Sequence, residues 1–193
     1  MGPDFESDGA DAIFAAVHFA AAAHSGQFRK GTRVPYLVHP LNVAKILLDH
    51  GCPDQLAIAG LLHDTVEDTR VTLEEIRTIF GAAVAHLVEF ATEPEKLWTW
   101  EKRKQHTLAM LGSGEGPELL LSIADKLDNI RSIHSDLGLL GERAWDRFKR
   151  PREKQRWYYE SLSRIFDTRL LDSPGAELAA EFRSEVRAVF GPA

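Results

Sequence analysis

A chain of 193 residues, 44% hydrophobic and 27% charged, is long enough to bury a core without covalent staples. Its net charge of −6 excludes the broad basic surface that a sequence-independent grip on nucleic acid requires, while leaving room for a local basic pocket around a small anion. One cysteine, Cys52, excludes an internal disulfide and fits a reducing compartment.

The N-terminal stretch "MGPDFESDGADAIF" lacks the basic-then-apolar order of a signal peptide, and residues 1–10 read as an extension. "AVHFAAAAH" is too short to span a bilayer, so the expectation is a cytoplasmic protein with no membrane partner. Helical spacing predicts a first helix over Asp11 to Ser25, ending before Gly26. "GQFRKGTRVPYLV" follows as a loop, its Gly and Pro residues breaking the period, and it carries Arg29, Lys30 and Arg33. Pro40 suits the first turn of a second helix that Gly51 closes. "PDQLAIAGLLHDTVED" reads as one third helix from Pro53 to Asp68.

"TLEEIRTIFG" opens on a capping box, Thr72 with Glu75, and stops at Gly81. "AVAHLVEFAT", "LWTWEKRKQHTLAML" and "PELLLSIADKLDNIRSIHSDL" supply three more helices. "REKQRWYYESLSRIF" and "GAELAAEFRSEVRAVF" supply the last two, with "LGSGEG" and "LDSPG" as turns. Alternating β-branched runs are almost absent. The expected fold class is all-α, a single helical bundle.

"GLLHDTVEDT" is the stretch that points to chemistry, because it sets four ionisable groups directly after the apolar run "LAIAGLL". A charge against a core is costly unless it is paired or bound to a metal. His63 and Asp64 alone are weak evidence, since an isolated His-Asp dipeptide is commonly surface chemistry. Two further interruptions strengthen them: His39 at the entrance of the second helix, and Asp125 after the apolar run "LLLSIA". Two imidazoles and two carboxylates with open positions suit a catalytic Mn²⁺, Fe²⁺ or Zn²⁺. The bland alternatives are a helix-capping His39 and a surface Asp125. Glu67 and Asp68 follow His63 and Asp64 by four residues each, which on a continuous helix stacks two acids one turn further along the same faces. There they could take a proton or position a nucleophile. The alternative is an acidic helix end, which would oppose the macrodipole.

The order His … His-Asp … Asp resembles the HD phosphohydrolase superfamily. More narrowly, "HSGQFRKGTRVPYLVHPLNVA", "AIAGLLHDTVEDT", "IFGAAVAHLVEFAT" and "SIADKLDNIRS" resemble the hydrolase domains of Rel/Spo-type alarmone enzymes and small alarmone hydrolases of the metazoan SpoT-homologue type. The likeness covers residues 11–167, implying one HD hydrolase domain with 168–193 as a helical extension packed on it.

The resemblance implies His39, His63, Asp64 and Asp125 as metal ligands, most simply for Mn²⁺, and Glu67 and Asp68 as catalytic acids. It implies substrate contacts from Arg29, Lys30, Asn129, Lys154 and Tyr158, with Arg33 and Ser132 less directly matched. Asp128 departs from the family, which commonly has His or Tyr there. The implied activity is metal-dependent removal of the 3′-diphosphate of ppGpp or pppGpp, releasing pyrophosphate and GDP or GTP, with a nucleotide as partner and no nucleic acid. Another pyrophosphorylated purine, a nucleoside monophosphate, or a non-catalytic nucleotide sensor remain the alternatives. Oligomeric state is not readable from the sequence.

Overall fold

The structure, a computed structural model, describes residues 9–93 and 97–192. It is all-α: among the described residues the only β pairing is an isolated antiparallel bridge between Phe28 and Pro35. The chain divides into two compact units, Met1–Thr92 and Glu93–Ala193.

The first unit holds α1 (Gly9–Ala23), α2 (Val38–Asp49), α3 (Asp54–Leu62), α4 (Thr65–Asp68), α5 (Leu73–Phe80) and α6 (Ala82–Ala91). α3 is its centre. Every residue from Leu56 to Leu62 is buried, as expected for a helix that is apolar all round, and α1, α2 and α6 pack on it. Gly60 sets the spacing to α2. A Cβ there would lie 3.1 Å from both Leu47 Cδ1 and Val43 Cγ1, so only glycine lets the two helices come this close.

α2 ends as its sequence predicts. Gly51 has φ 69°, its N–H donates to the Leu48 carbonyl, and the Cys52 N–H donates to the Leu47 carbonyl. Cys52 is buried, which pushes its thiol pKa up and leaves it poorly reactive. The predicted capping box at α5 is present: the Thr72 N–H donates to Glu75 Oε2 at 2.7 Å, and the Glu75 N–H donates to Thr72 Oγ1 at 3.3 Å. Those bonds from Thr72 hold the Glu75 carboxyl below its ordinary range.

The predicted third helix is not continuous. α3 stops at Leu62 and α4 starts at Thr65, with His63 and Asp64 between them. The reason is local: the buried Thr65 hydroxyl donates to the Leu62 carbonyl at 2.6 Å, and His63 Nδ1 lies 2.8 Å from the Gly60 carbonyl. Side chains thus take up carbonyls that the helical ladder would otherwise use.

The second unit holds α7 (Trp100–Ser113), α8 (Gly116–Leu140), a 3₁₀ segment (Gly141–Arg147), α9 (Arg152–Arg169) and α10 (Gly175–Phe190). α8 buries a spine that includes Leu119, Ile123, Leu127 and Ile130. α10, the last predicted helix, packs on α8 and α9. Its Phe182 meets Phe166 of α9 edge to face at 5.4 Å, so its apolar side is spent on packing.

Candidate metal centre and substrate contacts

His39 is the second residue of α2, and its ring is 2% exposed. His63 is equally buried, and the two rings meet edge to face with centroids 5.1 Å apart. Between them comes Asp64, whose Oδ2 is 2.9 Å from His63 Nε2 and 3.6 Å from His39 Nε2. His63 (φ −56°, ψ −34°) and Asp64 (φ −97°, ψ −4°) keep right-handed helical backbone angles, so side chains that leave a helix about 100° apart meet by leaning toward one another.

The hydrogen bonding fixes the chemistry of this cluster. A backbone carbonyl only accepts, so His63 Nδ1, facing the Gly60 oxygen, carries the hydrogen. Nε2 then turns toward a carboxylate oxygen at 2.9 Å. A cation shared by the two atoms suits that spacing. An imidazole that donates its other N–H to a main-chain carbonyl is the usual arrangement of a metal-ligating histidine. Donors about 2.1 Å from one ion stand roughly 3.0–3.5 Å apart in octahedral or tetrahedral geometry, close to the spacings found. The residues present fit a divalent metal.

Glu67 and Asp68 lie in α4, Glu67 half-buried and Asp68 exposed. One helical turn survives from Asp64, since the Asp68 N–H donates to the Asp64 carbonyl at 2.9 Å. The Asp68 carbonyl in turn accepts from Gln27 Nε2 at 2.9 Å. Asp68, Gln27, Arg70 and Glu75 help to line an open depression of about 590 Å³.

The basic loop is ordered rather than irregular. Arg29 N–H donates to the Val34 carbonyl and Tyr36 N–H to the Gln27 carbonyl, both at 2.9 Å, so residues 27–36 form a small hairpin. Gly26 and Gly31 take φ values of 77° and 76° at its bends. Arg29 is half-buried, while Lys30 and Arg33 are exposed.

In the second unit Asp125 is 9% exposed on α8. Asn129, one turn on, donates from Nδ2 to Asp125 Oδ1 at 2.6 Å, and the Lys126 ammonium donates to Oδ2. Asp128, on the same helix, is also buried. Lys154 is exposed, whereas Tyr158 is 4% exposed among the rings of Trp100, Trp157 and Tyr159. The Tyr158 hydroxyl is buried with no hydrogen-bond partner among the described residues. Lys104 Nζ lies 5.1 Å from its ring centroid and pairs with Glu93 at 2.7 Å, which also pairs with Arg103 at 2.9 Å.

Three participants escape a reading of the sequence. Tyr36 donates its hydroxyl to Asp64 Oδ2, a contact across 28 residues. Its place three residues before His39 was the one available signal. Gln27, part of the same "HSGQ" run as His24, holds the main chain at Asp68. Lys126 neutralises Asp125 from the next position.

A model of the HD domain matches residues 16–138, well over half of the chain. The chain belongs to the HD-domain family. Among its relatives, "Guanosine-3′,5′-bis(diphosphate) 3′-pyrophosphohydrolase" of Aquifex aeolicus is 42% identical over 126 residues, which are 64% of this chain and 18% of that protein. The mouse protein "Guanosine-3′,5′-bis(diphosphate) 3′-pyrophosphohydrolase MESH1" is 41% identical over 125 residues, 63% of this chain and 69% of its own length. The chain therefore spans only a small part of the Aquifex relative. A structure titled "A metazoan ortholog of SpoT hydrolyzes ppGpp and plays a role in starvation responses" superposes with a TM-score of 0.75 at 25% identity, covering 100% of this chain and 99% of that one. The Listeria monocytogenes protein lmo0812 superposes with a TM-score of 0.72 at 38% identity, covering 80% of this chain and 99% of that one.

Proposed function

We propose that this HD-domain protein hydrolyses the 3′-diphosphate of guanosine 3′,5′-bis(diphosphate), releasing pyrophosphate and GDP, or GTP from the pentaphosphate. The observation that carries this reading is the Asp64 carboxylate held 2.9 Å from a His63 nitrogen whose partner nitrogen is committed to the Gly60 carbonyl. The names of the relatives point to the same substrate.

His39, His63, Asp64 and Asp125 would hold the metal; all four lie inside the HD-domain match. The metal, taken as Mn²⁺ on the family resemblance with Fe²⁺ and Zn²⁺ also suited to mixed N and O donors, would supply Lewis-acid polarisation of phosphoryl oxygen and of the attacking water. Glu67 and Asp68, one turn beyond Asp64, are placed to take the water's proton and to orient it. Arg29 offers the fork geometry that suits a diphosphate and Lys30 adds a mobile point charge, both on the hairpin loop. Asn129 spends an N–H on Asp125, so its first duty is to that carboxylate, and substrate contact would be its second. Tyr158 buries an unsatisfied phenol, a cost of about 1–3 kcal/mol that a polar nucleotide contact would relieve, with Lys154 one turn before it. Buried Cys52 and the single-cysteine composition suit the reducing cytoplasm. No described helix is long and apolar enough to cross a membrane.

The test is turnover of ppGpp, pppGpp and ppApp by the Mn²⁺-loaded protein, with pyrophosphate as readout. Rapid release from ppGpp, lost in Glu67→Ala while Mn²⁺ still binds, is the expected result. A fully metallated parent protein that binds ppGpp without cleaving it would leave a sensor and end the enzymatic reading.

A further inference from the structure

Tyr36 has been given no role in the proposed machinery, yet it reaches across 28 residues to Asp64. Its hydroxyl donates to Asp64 Oδ2, the same oxygen that faces His63 Nε2 at 2.9 Å and His39 Nε2 at 3.6 Å. A carboxylate oxygen offers two in-plane lone-pair directions. The phenol takes one of them, and both imidazole Nε2 atoms stand within 3.6 Å of the same oxygen.

The ring cannot easily swing away. Its centroid is 4.9 Å from that of buried His24 and 5.8 Å from that of His39. His24 is itself anchored, with Nδ1 2.9 Å from Gln27 Oε1. The main chain at Tyr36 is pinned from both sides: its N–H donates to the Gln27 carbonyl, and its carbonyl accepts from the His39 N–H, both at 2.9 Å. The basic loop and the start of α2 are therefore both tied to the phenol that holds Asp64.

We propose that Tyr36 is a positioning residue for the metal centre: it fixes the rotation of the Asp64 carboxylate so that Oδ2 bites together with His39 and His63. The proposal rests on the metal reading above and extends it to a residue outside the ligand set. Groups that orient a ligand typically govern metal affinity by about ten- to a hundredfold, which sets the size of the effect.

The experiment is a Mn²⁺ titration of parent protein and Tyr36→Phe, following free Mn²⁺ by electron paramagnetic resonance. The visible absorption of the Co²⁺-substituted forms reports ligand geometry alongside it. Phenylalanine keeps the ring between His24 and His39 and removes only the donor. The expected result is Mn²⁺ binding weakened by about tenfold or more, a displaced Co²⁺ band, and kcat at saturating Mn²⁺ reduced much less than the affinity. Melting of both proteins with and without Mn²⁺ serves as the second measurement, because a purely structural role would lower the variant's two melting temperatures equally and leave the metal-dependent rise unchanged. Equal Mn²⁺ affinity and identical Co²⁺ spectra in the two proteins would overturn the positioning role while leaving the hydrolase reading intact. A parent protein that binds no divalent ion would remove both.

Discussion

The two units aim carboxylates at chemistry in opposite ways. In the first, the helix is broken: α3 ends at Leu62, and His63 and Asp64 lie in the gap before α4. In the second, α8 runs unbroken from Gly116 to Leu140 through Asp125. At the break two neighbouring side chains lean together, His63 Nε2 and Asp64 Oδ2 standing 2.9 Å apart. A continuous helix delivers one carboxylate and supports it from the next turn, as Asn129 does. The broken site thus depends on backbone and loop contacts, and the continuous one on a side chain of its own helix.

The harshest way to break the comparison is Asp64→Asn, which keeps the shape and removes the charge shared with His63. Metal content by elemental analysis should fall to background and ppGpp turnover should drop about a thousandfold, equivalent to about 4 kcal/mol. Next comes Thr65→Val, which strips the hydroxyl that closes α3 and leaves the buried Leu62 carbonyl without it. Urea unfolding should show a loss of about 1–3 kcal/mol, and activity should fall with it, because the break at His63 is no longer held.

Asn129→Ala sharpens the contrast on the continuous side. If its main duty is to Asp125, metal affinity should weaken by about tenfold with little change in stability; a rise in KM alone would assign it to substrate instead. The smallest effect is expected at Glu93. Burial pushes its carboxyl up, but Lys104 and Arg103 overcome this and hold it below the ordinary value of 4.5. A depressed carboxylate contributes stability that is present above that value and lost as pH falls through the folded-state pKa. Glu93→Gln should therefore lower the melting temperature slightly at neutral pH, where that contribution is fully present, and flatten the acid limb below pH 4.5, where parent and variant converge.

Much of this was legible in the chain itself. The capping box at Thr72, the glycine stop at Gly51 and the apolar α3 follow from local rules, and the structure carries each of them. The His and Asp positions stood out because charge interrupts apolar runs. The interruption of the third helix did not stand out, since "LLHDTVED" contains no Gly or Pro to mark a break and the cause is two side-chain bonds to carbonyls. Tyr36 escaped for another reason. Its partner is distant in sequence, and an aromatic residue in a loop carries no mark of what it will hold. The hairpin at 27–36 was read as a plain loop because its two paired positions are too few to show alternation.

Gly60 gives the first unit an unexpected adjustment point. His39 rides on α2 and His63 hangs from the end of α3, so the gap between those two backbones sets how far apart the imidazoles stand. At Gly60 an added methyl group would lie 3.1 Å from Leu47 and Val43 and 3.4 Å from the Ala44 backbone nitrogen. Alanine at this position would crowd Leu47 and Val43 from the α3 side, and in the proposed metal site that pressure would reach both imidazoles, so hydrocarbon packing contributes to how the two rings are spaced.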